Sequence, residues 1–256
     1  MYPAQASVFG LRPIYLTLRE GDGQWHLDRD ELVLNTPHNP TGKVFTRDEL
    51  RFVASVAVEH DLLVVTDEIY EQITYDGQRH LPLAAEHRMR ERTISVNSIS
   101  KTGNATDWRV GWVIAPVPHT AKILAVHDTL AIQAPTPLQK AAVELLTMPA
   151  SFSDGLRSRY TRKREILVTA LRDAGFRCGV PQGAYYLFAD YHGVPALRGR
   201  SPMETAMFLI EDIGVTGVPG DNFDASPNAG RTQLRFAFCR SPDALDEAAR
   251  RLRKLA

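Results

Sequence analysis

The order of strands and helices between residues 31 and 70 constrains the fold of this chain more than any other feature. Two short aliphatic runs, ELVLN at 31–35 and DLLVVTD at 61–67, enclose a segment with a helical pattern. Thr46 and Glu49 form a capping box at the start of that helix. The positions predicted to be buried recur at helical spacing: Leu50, Val53, Ala54 and Ala57. A strand, helix, strand order with continuous apolar strands predicts an α/β fold, a mostly parallel, doubly wound sheet covered by helices on both faces.

The rest of the chain adds further strands and a second, smaller unit. Residues 12–18 predict a first strand, followed by a turn at 21–28 that leads into an acidic, helix-like segment. The runs TISVNSIS, at 93–100, and VGWVIAP, at 110–116, predict two more strands. Helices are predicted at 135–146, at 153–174 and after Ser241, where Pro242 occupies the first helical position. We expect one domain over residues 1–150 and a linking helix with a smaller α+β domain over 151–256.

Composition excludes several classes of protein. Thirty basic and thirty acidic residues cancel in the 256-residue chain, so no basic surface for nucleic acid or anionic membrane is expected. No apolar run approaches the ~20 residues of a membrane span, and the first residues lack the pattern of a secretory signal. We therefore expect a cytoplasmic protein. Cys178 and Cys239 are far apart and are expected to be reduced, and the eight histidines lack metal-ligand spacing, so no metal is predicted.

Polar side chains follow the predicted strands at the points where the strands end. In open α/β sheets, ligands bind outside the carboxyl ends of the strands. Lys101 is expected in a loop of small residues after an apolar strand, where its amine would be partly desolvated. Arg109, eight residues further on, could bind a phosphate or carboxylate through its forked guanidinium. Taken singly, Lys101 also fits an ordinary solvated lysine and Arg109 an ordinary arginine beside a strand.

Four short motifs, which follow one another along the chain, indicate a common function for these residues. They are NPTG around Asn39, DEIY beginning at Asp67, SISK ending at Lys101, and RFAFC beginning at Arg235, supported by PQGAYY at 181–186 and VPGDNF at 218–223. The set resembles the fold-type I pyridoxal-phosphate enzymes of aminotransferase class I/II, especially kynurenine, glutamine and methionine aminotransferases. This resemblance implies transfer of an amino group from an L-amino acid to a 2-oxo acid, with pyridoxal 5'-phosphate as cofactor, by a homodimer.

The resemblance also implies a role for each residue that contacts the cofactor ring. Lys101 would form a Schiff base with the cofactor aldehyde and later carry a proton between the substrate α-carbon and the cofactor. Asp67 would pair with the protonated ring nitrogen, because a nearby carboxylate favours the charged form. Tyr70 and Asn39 would donate hydrogen bonds to the phenolic oxygen of the ring.

The remaining roles concern anions. Ser98 and Arg109 would bind the cofactor phosphate. Arg235 would bind the α-carboxylate of the substrate in a bidentate manner, beside Asn39. Without the resemblance, Asp67 is equally a carboxylate at a strand end, Tyr70 an aromatic at the core edge, and Arg235 a cation paired across a sheet.

Other functions are compatible with the same motifs. A β-lyase, cyclase or oxidase of the same fold would use the same residues, and a non-catalytic aminotransferase-like module would need none of their chemistry. A nicotinamide enzyme is disfavoured, since no GxGxxG follows a strand. The resemblance further implies that the chain begins inside the family's large domain. We therefore expect that an upstream phosphate-binding turn, a ring-stacking aromatic and residues reaching the neighbouring subunit are missing, which would impair activity.

Overall fold

Two four-stranded sheets, one from each half of the chain, form the frame of the computed structural model, which describes residues 18–21, 24–27, 34–223 and 229–256. In the first sheet, three strands run parallel and the fourth is antiparallel to its neighbour. Its strands, in spatial order, are β3 (Leu34–Asn35), β4 (Val64–Asp67), β5 (Thr93–Ser98) and β6 (Gly111–Ile114). The mostly parallel sheet predicted from the sequence is confirmed.

A short hairpin precedes this sheet. Its antiparallel strands are β1 (Leu18–Gly21) and β2 (Gln24–Leu27). The prediction of a turn over residues 21–28 is therefore wrong, because Gln24–Leu27 pairs as a strand with Leu18–Gly21. The strand predicted over 12–18 lies outside the described residues except for Leu18, and the acidic segment at 28–33 also lies outside them.

The second sheet is antiparallel throughout and has the order β7-β8-β10-β9. Its strands are β7 (Arg177–Cys178), β8 (Tyr186–Asp190), β9 (Val218–Pro219) and β10 (Gln233–Ala237). The helices of the described chain are α1 (Arg47–Glu59), α2 (Ile99–Thr102), α3 (Val117–Ala131), α4 (Thr136–Leu146), α5 (Ala150–Asp173), α6 (Pro202–Phe208) and α7 (Pro242–Leu252).

The helix boundaries that depend on local signals agree with the sequence. At the start of α1 the Thr46 hydroxyl accepts a hydrogen bond from the Glu49 N–H, at 3.3 Å, and the Glu49 carboxylate accepts one from the Thr46 N–H, at 2.8 Å. The residues predicted to be buried are buried: Leu50, Val53, Ala54 and Ala57. Ser241 caps α7, and Pro242 is its first residue, as predicted.

The first sheet has exposed apolar side chains in the described residues, although the α/β fold class with its mostly parallel sheet is the predicted one. Side chains alternate along β4 and β5, so Thr66 and Ser95 are buried while Val65, on the opposite face, is 51% exposed. Ile114, on β6, is 63% exposed although it pairs with Ser95 and therefore lies on the same face as Ser95. The helix α3, which the sequence did not predict, follows β6 and buries none of its residues.

The largest buried cluster joins the two halves of the chain. Tyr70, Ile73 and Tyr75 come from the first half, and they pack in the core formed by α5, α7 and the second sheet. The predicted division near residue 150 stays a prediction, and α5 begins at that point of the chain. In the part of the chain that the structure describes, no helix is long and apolar enough to span a membrane.

Arg164 of α5 ties this helix to the first half. Its guanidinium forms two hydrogen bonds with the Asp76 carboxylate, at 2.6 and 2.9 Å, donates to the Pro181 carbonyl at 2.9 Å, and lies over the Tyr75 ring. The Arg164 side chain is 95% buried.

We expect Arg164→Ala to lower the free energy of unfolding by about 3 kcal/mol, since it leaves the buried Pro181 carbonyl without its donor and removes the contact with Tyr75. Urea unfolding followed by circular dichroism measures this loss. Arg162→Ala is the matched control, because Arg162 is exposed on the same helix, and it should change the stability by less than about 0.5 kcal/mol. Equal losses in the two variants would contradict the role assigned to Arg164.

Candidate active site

The carboxyl ends of the three parallel strands lie side by side and carry the first group of predicted residues. Asn35 is opposite Asp67, and Asp67 is opposite Val96. The Asn35 amide donates to the Asp67 carbonyl oxygen at 3.1 Å, and an Asp67 carboxylate oxygen accepts a hydrogen bond from the Ile69 N–H at 3.3 Å. Asp67 is half-buried at this edge. Its position agrees with the prediction that a carboxylate emerges where a strand ends.

Asn39 lies in the turn after β3 and connects this edge to the second sheet. Its N–H donates to the Asn35 side-chain oxygen at 2.8 Å, which orients the turn. Its own side-chain oxygen accepts a hydrogen bond from Nη1 of Arg235 at 2.9 Å. Asn39 and Arg235, which the sequence placed in one site, are therefore in direct contact although 196 positions separate them.

Arg235 sits between two aromatic rings. Its guanidinium carbon lies 4.3 Å from the centre of the Tyr186 ring and 4.6 Å from that of Phe223. Within the described residues its Nε is buried and has no hydrogen-bond partner. A donor that is buried and unsatisfied costs free energy unless a ligand pairs with it. The arrangement therefore fits an anion that arrives with its own acceptors.

Lys101 lies in the single helical turn α2, directly after β5. The prediction of a loop is wrong at this point, because the Ser98 hydroxyl caps the turn by accepting a hydrogen bond from the Ser100 N–H at 2.9 Å. The same hydroxyl donates to the Val110 carbonyl at 2.9 Å. The Lys101 side chain is half-buried, with its Nζ 5.8 Å from the centre of the Tyr185 ring. The side chain is thus only partly exposed.

A cluster of three tyrosines lies between Lys101 and Arg235. The rings of Tyr70 and Tyr185 meet edge to face, with their centres 5.2 Å apart. The Tyr70 hydroxyl donates to the Tyr186 hydroxyl at 3.0 Å. Burial, together with the neighbouring phenols, raises the pKa of Tyr70 well above its ordinary value. Tyr70 therefore keeps its proton at neutral pH and acts as a hydrogen-bond donor.

A buried carboxylate, Glu68, lies beneath this edge of the sheet. It accepts hydrogen bonds from the Thr66 and Ser95 hydroxyls, at 2.6 and 3.2 Å, and lies 2.9 Å from the His80 Nε2. Burial acts to raise the pKa of Glu68, but the hydrogen bonds from His80 and Thr66 outweigh it, so the pKa is lowered. Glu71 comes close enough for Glu68, Glu71 and His80 to offer ligand atoms within 4.8 Å of one another. The hydrogen bonds already made by Glu68 account for its position.

Arg109 occupies a different environment from the one the sequence predicted. It is exposed and precedes β6 in a left-handed conformation, with φ 53° and ψ 38°, and its Nη1 donates to the Thr106 carbonyl at 3.2 Å. Together with residues of β6 and α3, Arg109 lines a cavity of about 640 Å³. The pairing of Ser98 with Gly111 nevertheless brings Arg109 to the same end of the sheet as Ser98.

Two residues of the site were missed by sequence reasoning. Tyr185 faces the Lys101 amine, and Tyr186 contacts both Tyr70 and Arg235. The only signal was the motif PQGAYY at 181–186, whose tyrosines were not assigned any role. Nothing in the local sequence distinguishes these tyrosines from ordinary core aromatics.

Comparison with known proteins shows the family to which the chain belongs. A sequence model of the family described as "Aminotransferase class I and II" matches residues 24–252. The probable N-succinyldiaminopimelate aminotransferase DapC of Mycobacterium tuberculosis is 36% identical over 234 residues, which cover 88% of this chain and 58% of the relative. Human kynurenine–oxoglutarate transaminase 1 is 31% identical over 290 residues, which cover 99% of this chain and 69% of the relative.

Solved structures show the same relationship. The structure of N-succinyldiaminopimelate aminotransferase from Mycobacterium tuberculosis matches with a TM-score of 0.93 and 33% identity, and the match covers 100% of this chain and 68% of the other. A methionine aminotransferase structure from Escherichia coli matches with a TM-score of 0.80 and 33% identity, covering 87% of this chain and 57% of the other. The chain thus spans about 58% of the length of DapC.

The imidazole of His38, in the turn next to Asn39, makes the stability of the folded chain depend on pH. Its Nδ1 lies 2.8 Å from the Thr41 hydroxyl oxygen. Burial first, and then the nearby Lys43 charge, lower the pKa of His38 from 6.5 to about 4. Because the unfolded chain binds this proton at a higher pH than the folded chain does, stability falls as the pH falls through the window from 6.5 to about 4.

We expect the free energy of unfolding of the native chain to fall as the pH is lowered across that window. In His38→Gln, which lacks the titrating group, this fall should be smaller by an amount on the order of 2 kcal/mol. Urea unfolding at a series of pH values from 7 to 4 checks this difference. His119→Gln is the control, because His119 is far along the chain at the start of α3, and it should keep the native pH dependence. A native slope in His38→Gln would contradict the assignment.

Proposed function

Because the chain belongs to the aminotransferase class I and II family, we propose that it transfers an amino group from an L-amino acid to a 2-oxo acid. One observation carries this proposal. Arg235, fixed by Asn39 and with a buried, unsatisfied Nε, lies on the same aromatic cluster as the Lys101 amine. These contacts support the proposal that Arg235 binds the carboxylate of a substrate on which the Lys101 amine acts.

The residues at the sheet edge fit pyridoxal 5'-phosphate, the cofactor on which this family generally depends. The donor set contains an amine for the aldehyde, a carboxylate for the ring nitrogen, and a hydroxyl and a guanidinium at one sheet end for the phosphate. We assign these functions to Lys101, to Asp67, and to Ser98 with Arg109. When bound, this cofactor supplies an electron sink for the pair released at the substrate α-carbon.

Each protein group then has a task that follows from its surroundings. Arg235 binds the α-carboxylate through its forked N–H groups, and Asn39 keeps the guanidinium from rotating away. Lys101 Nζ would carry a proton between the substrate α-carbon and the cofactor. Tyr70, whose phenol is protonated, donates its one proton to a ligand oxygen that carries partial negative charge when the site is filled, and the Tyr186 hydroxyl then donates to the Tyr70 oxygen. The rings of Tyr185 and Tyr186 limit access of water.

The two halves of the chain would have different roles. We propose that residues 1–150 bind the cofactor and that 151–256 contribute the carboxylate-binding Arg235. A homodimer in the cytoplasm is also proposed. It is supported by the balanced charge of the chain and by the exposed apolar residues of α3, such as Val117, which is 86% exposed, and Leu130, which is 75% exposed.

We expect the purified chain to take up added pyridoxal phosphate and to show an imine absorption that is abolished in Lys101→Ala. Transamination between an amino acid and 2-oxoglutarate should fall by at least about 1,000-fold in this variant, since both anchor and base are removed. Lys140→Ala, at an exposed position of α4, is the control. A native chain that takes up no cofactor, or a fully active Lys101→Ala, would sink the proposal. Activity without any oxo-acid co-substrate would favour a lyase, cyclase or oxidase instead.

Arg235→Lys should lower kcat/KM for the amino acid by about 100-fold, because a lysine cannot form the bidentate contact with the carboxylate. The imine absorption should remain, since Arg235 is assigned to the substrate and not to the cofactor. Steady-state kinetics and the visible spectrum separate the two effects. Arg240→Ala, at an exposed position after β10, should leave both unchanged, whereas an unchanged kcat/KM in Arg235→Lys would show that another group binds the carboxylate.

A further inference from the structure

Tyr186, the first residue of β8, contacts Tyr70 through its hydroxyl and Arg235 through its ring. Its hydroxyl accepts the hydrogen bond from Tyr70 at 3.0 Å, and the face of its ring lies 4.3 Å from the Arg235 guanidinium carbon. The side chain is buried, with 9% of its surface exposed.

The ring of Tyr186 restricts the plane of the Arg235 guanidinium. Tyr186 and Phe223 both place a ring within 4.6 Å of the guanidinium carbon. The Asn39 oxygen accepts one N–H of the group. Two ring contacts and one directional hydrogen bond together limit both tilt and rotation of the guanidinium. The buried Nε then keeps a fixed direction for an arriving carboxylate.

The hydroxyl of Tyr186 sets the direction of the Tyr70 phenol. Tyr70 is 2% exposed, and its hydrogen bond to Tyr186 gives its proton an acceptor within the protein. Removing only that acceptor would leave a buried donor unsatisfied and free to turn. The Tyr70 ring itself is held separately by its edge-to-face contact with Tyr185.

We propose that Tyr186 is a positioning residue with two separable tasks: its ring orients Arg235 for the substrate carboxylate, and its hydroxyl orients Tyr70. The inference rests on the proposed transaminase function for its kinetic consequences. Its geometric content, the placement of the Arg235 guanidinium, can be measured without cofactor. If Tyr186 only filled the aromatic core, its substitution would lower stability, and removing the hydroxyl or the ring would have no distinct effects on Tyr70 and Arg235.

The two tasks are distinguished by Tyr186→Phe, which removes only the hydroxyl, and Tyr186→Leu, which removes the ring as well. Tyr75→Phe is the matched control, because Tyr75 is equally part of the core and its hydroxyl donates to the Ala184 carbonyl at 2.5 Å. If Tyr186→Leu does not fold, Tyr186→Met removes the ring with a smaller change of volume.

In the cofactor-loaded chain, Tyr186→Phe should shift the pH midpoint of the imine absorption by about half a unit or more while KM changes less than about twofold. Tyr186→Leu should raise KM for the amino acid by about fivefold to tenfold, the size expected for losing a cation–π contact, with a smaller change of kcat. Combining Tyr186→Leu with Arg235→Lys should raise KM less than the product of the single effects.

The cofactor-free chain provides an independent measurement through the NMR signal of the Arg235 Nε–H, assigned by its loss in Arg235→Lys. Tyr186→Leu should move this signal downfield and weaken its response to added 2-oxoglutarate, whereas Tyr186→Phe and Tyr75→Phe should not. If both Tyr186 variants behave like Tyr75→Phe in the two experiments, the proposal is overturned. If the native chain neither loads nor transaminates while the Arg235 signal responds as expected, the proposed function fails and the positioning of Arg235 by Tyr186 stands.

Discussion

The contact between Arg235 and Asn39 is the interaction on which the arrangement of the site depends. It joins the turn after β3 to a strand of the second sheet, and the Tyr186 ring supports it from one side. A cation in this partly buried position is tolerable only with an acceptor in its plane and polarisable surfaces above and below it. Because the contact spans the two sheets, the placement of the second sheet also sets the position of the Arg235 guanidinium. The Arg164 bonds to Asp76 and Pro181 fix that placement from the side of α5.

The sheet edge that carries Asp67 is supported by polar groups rather than by an apolar core. Thr66, Ser95 and His80 surround the Glu68 carboxylate, and their hydrogen bonds offset the cost of burying its charge. A network of this kind has few alternative arrangements, so the backbone next to Asp67 is fixed. On the opposite face of the same strand, Val65 is 51% exposed.

Sequence reasoning succeeded where the signal is local and failed where it is not. The capping box of α1 and the proline at the start of α7 act within one helical turn, so their residues alone fix the helix ends. The helix α3 was missed because its apolar residues are distributed around the helix and form no buried stripe. Lys101 was placed correctly at a strand end, but the hydroxyl cap of Ser98 turns the expected loop into a helical turn.

The sequence by itself determined the parallel sheet, the order of the motifs and the identity of the charged groups at the strand ends, because these follow from periodicity and from neighbours within a few residues. Only the tertiary structure decided that Tyr186 touches both Tyr70 and Arg235, that Arg164 is buried, and that Arg109 faces solvent. Such contacts join residues as far apart as 116 positions, as in the pair of Tyr70 and Tyr186. They depend on how the two sheets pack, which no local pattern of residues specifies.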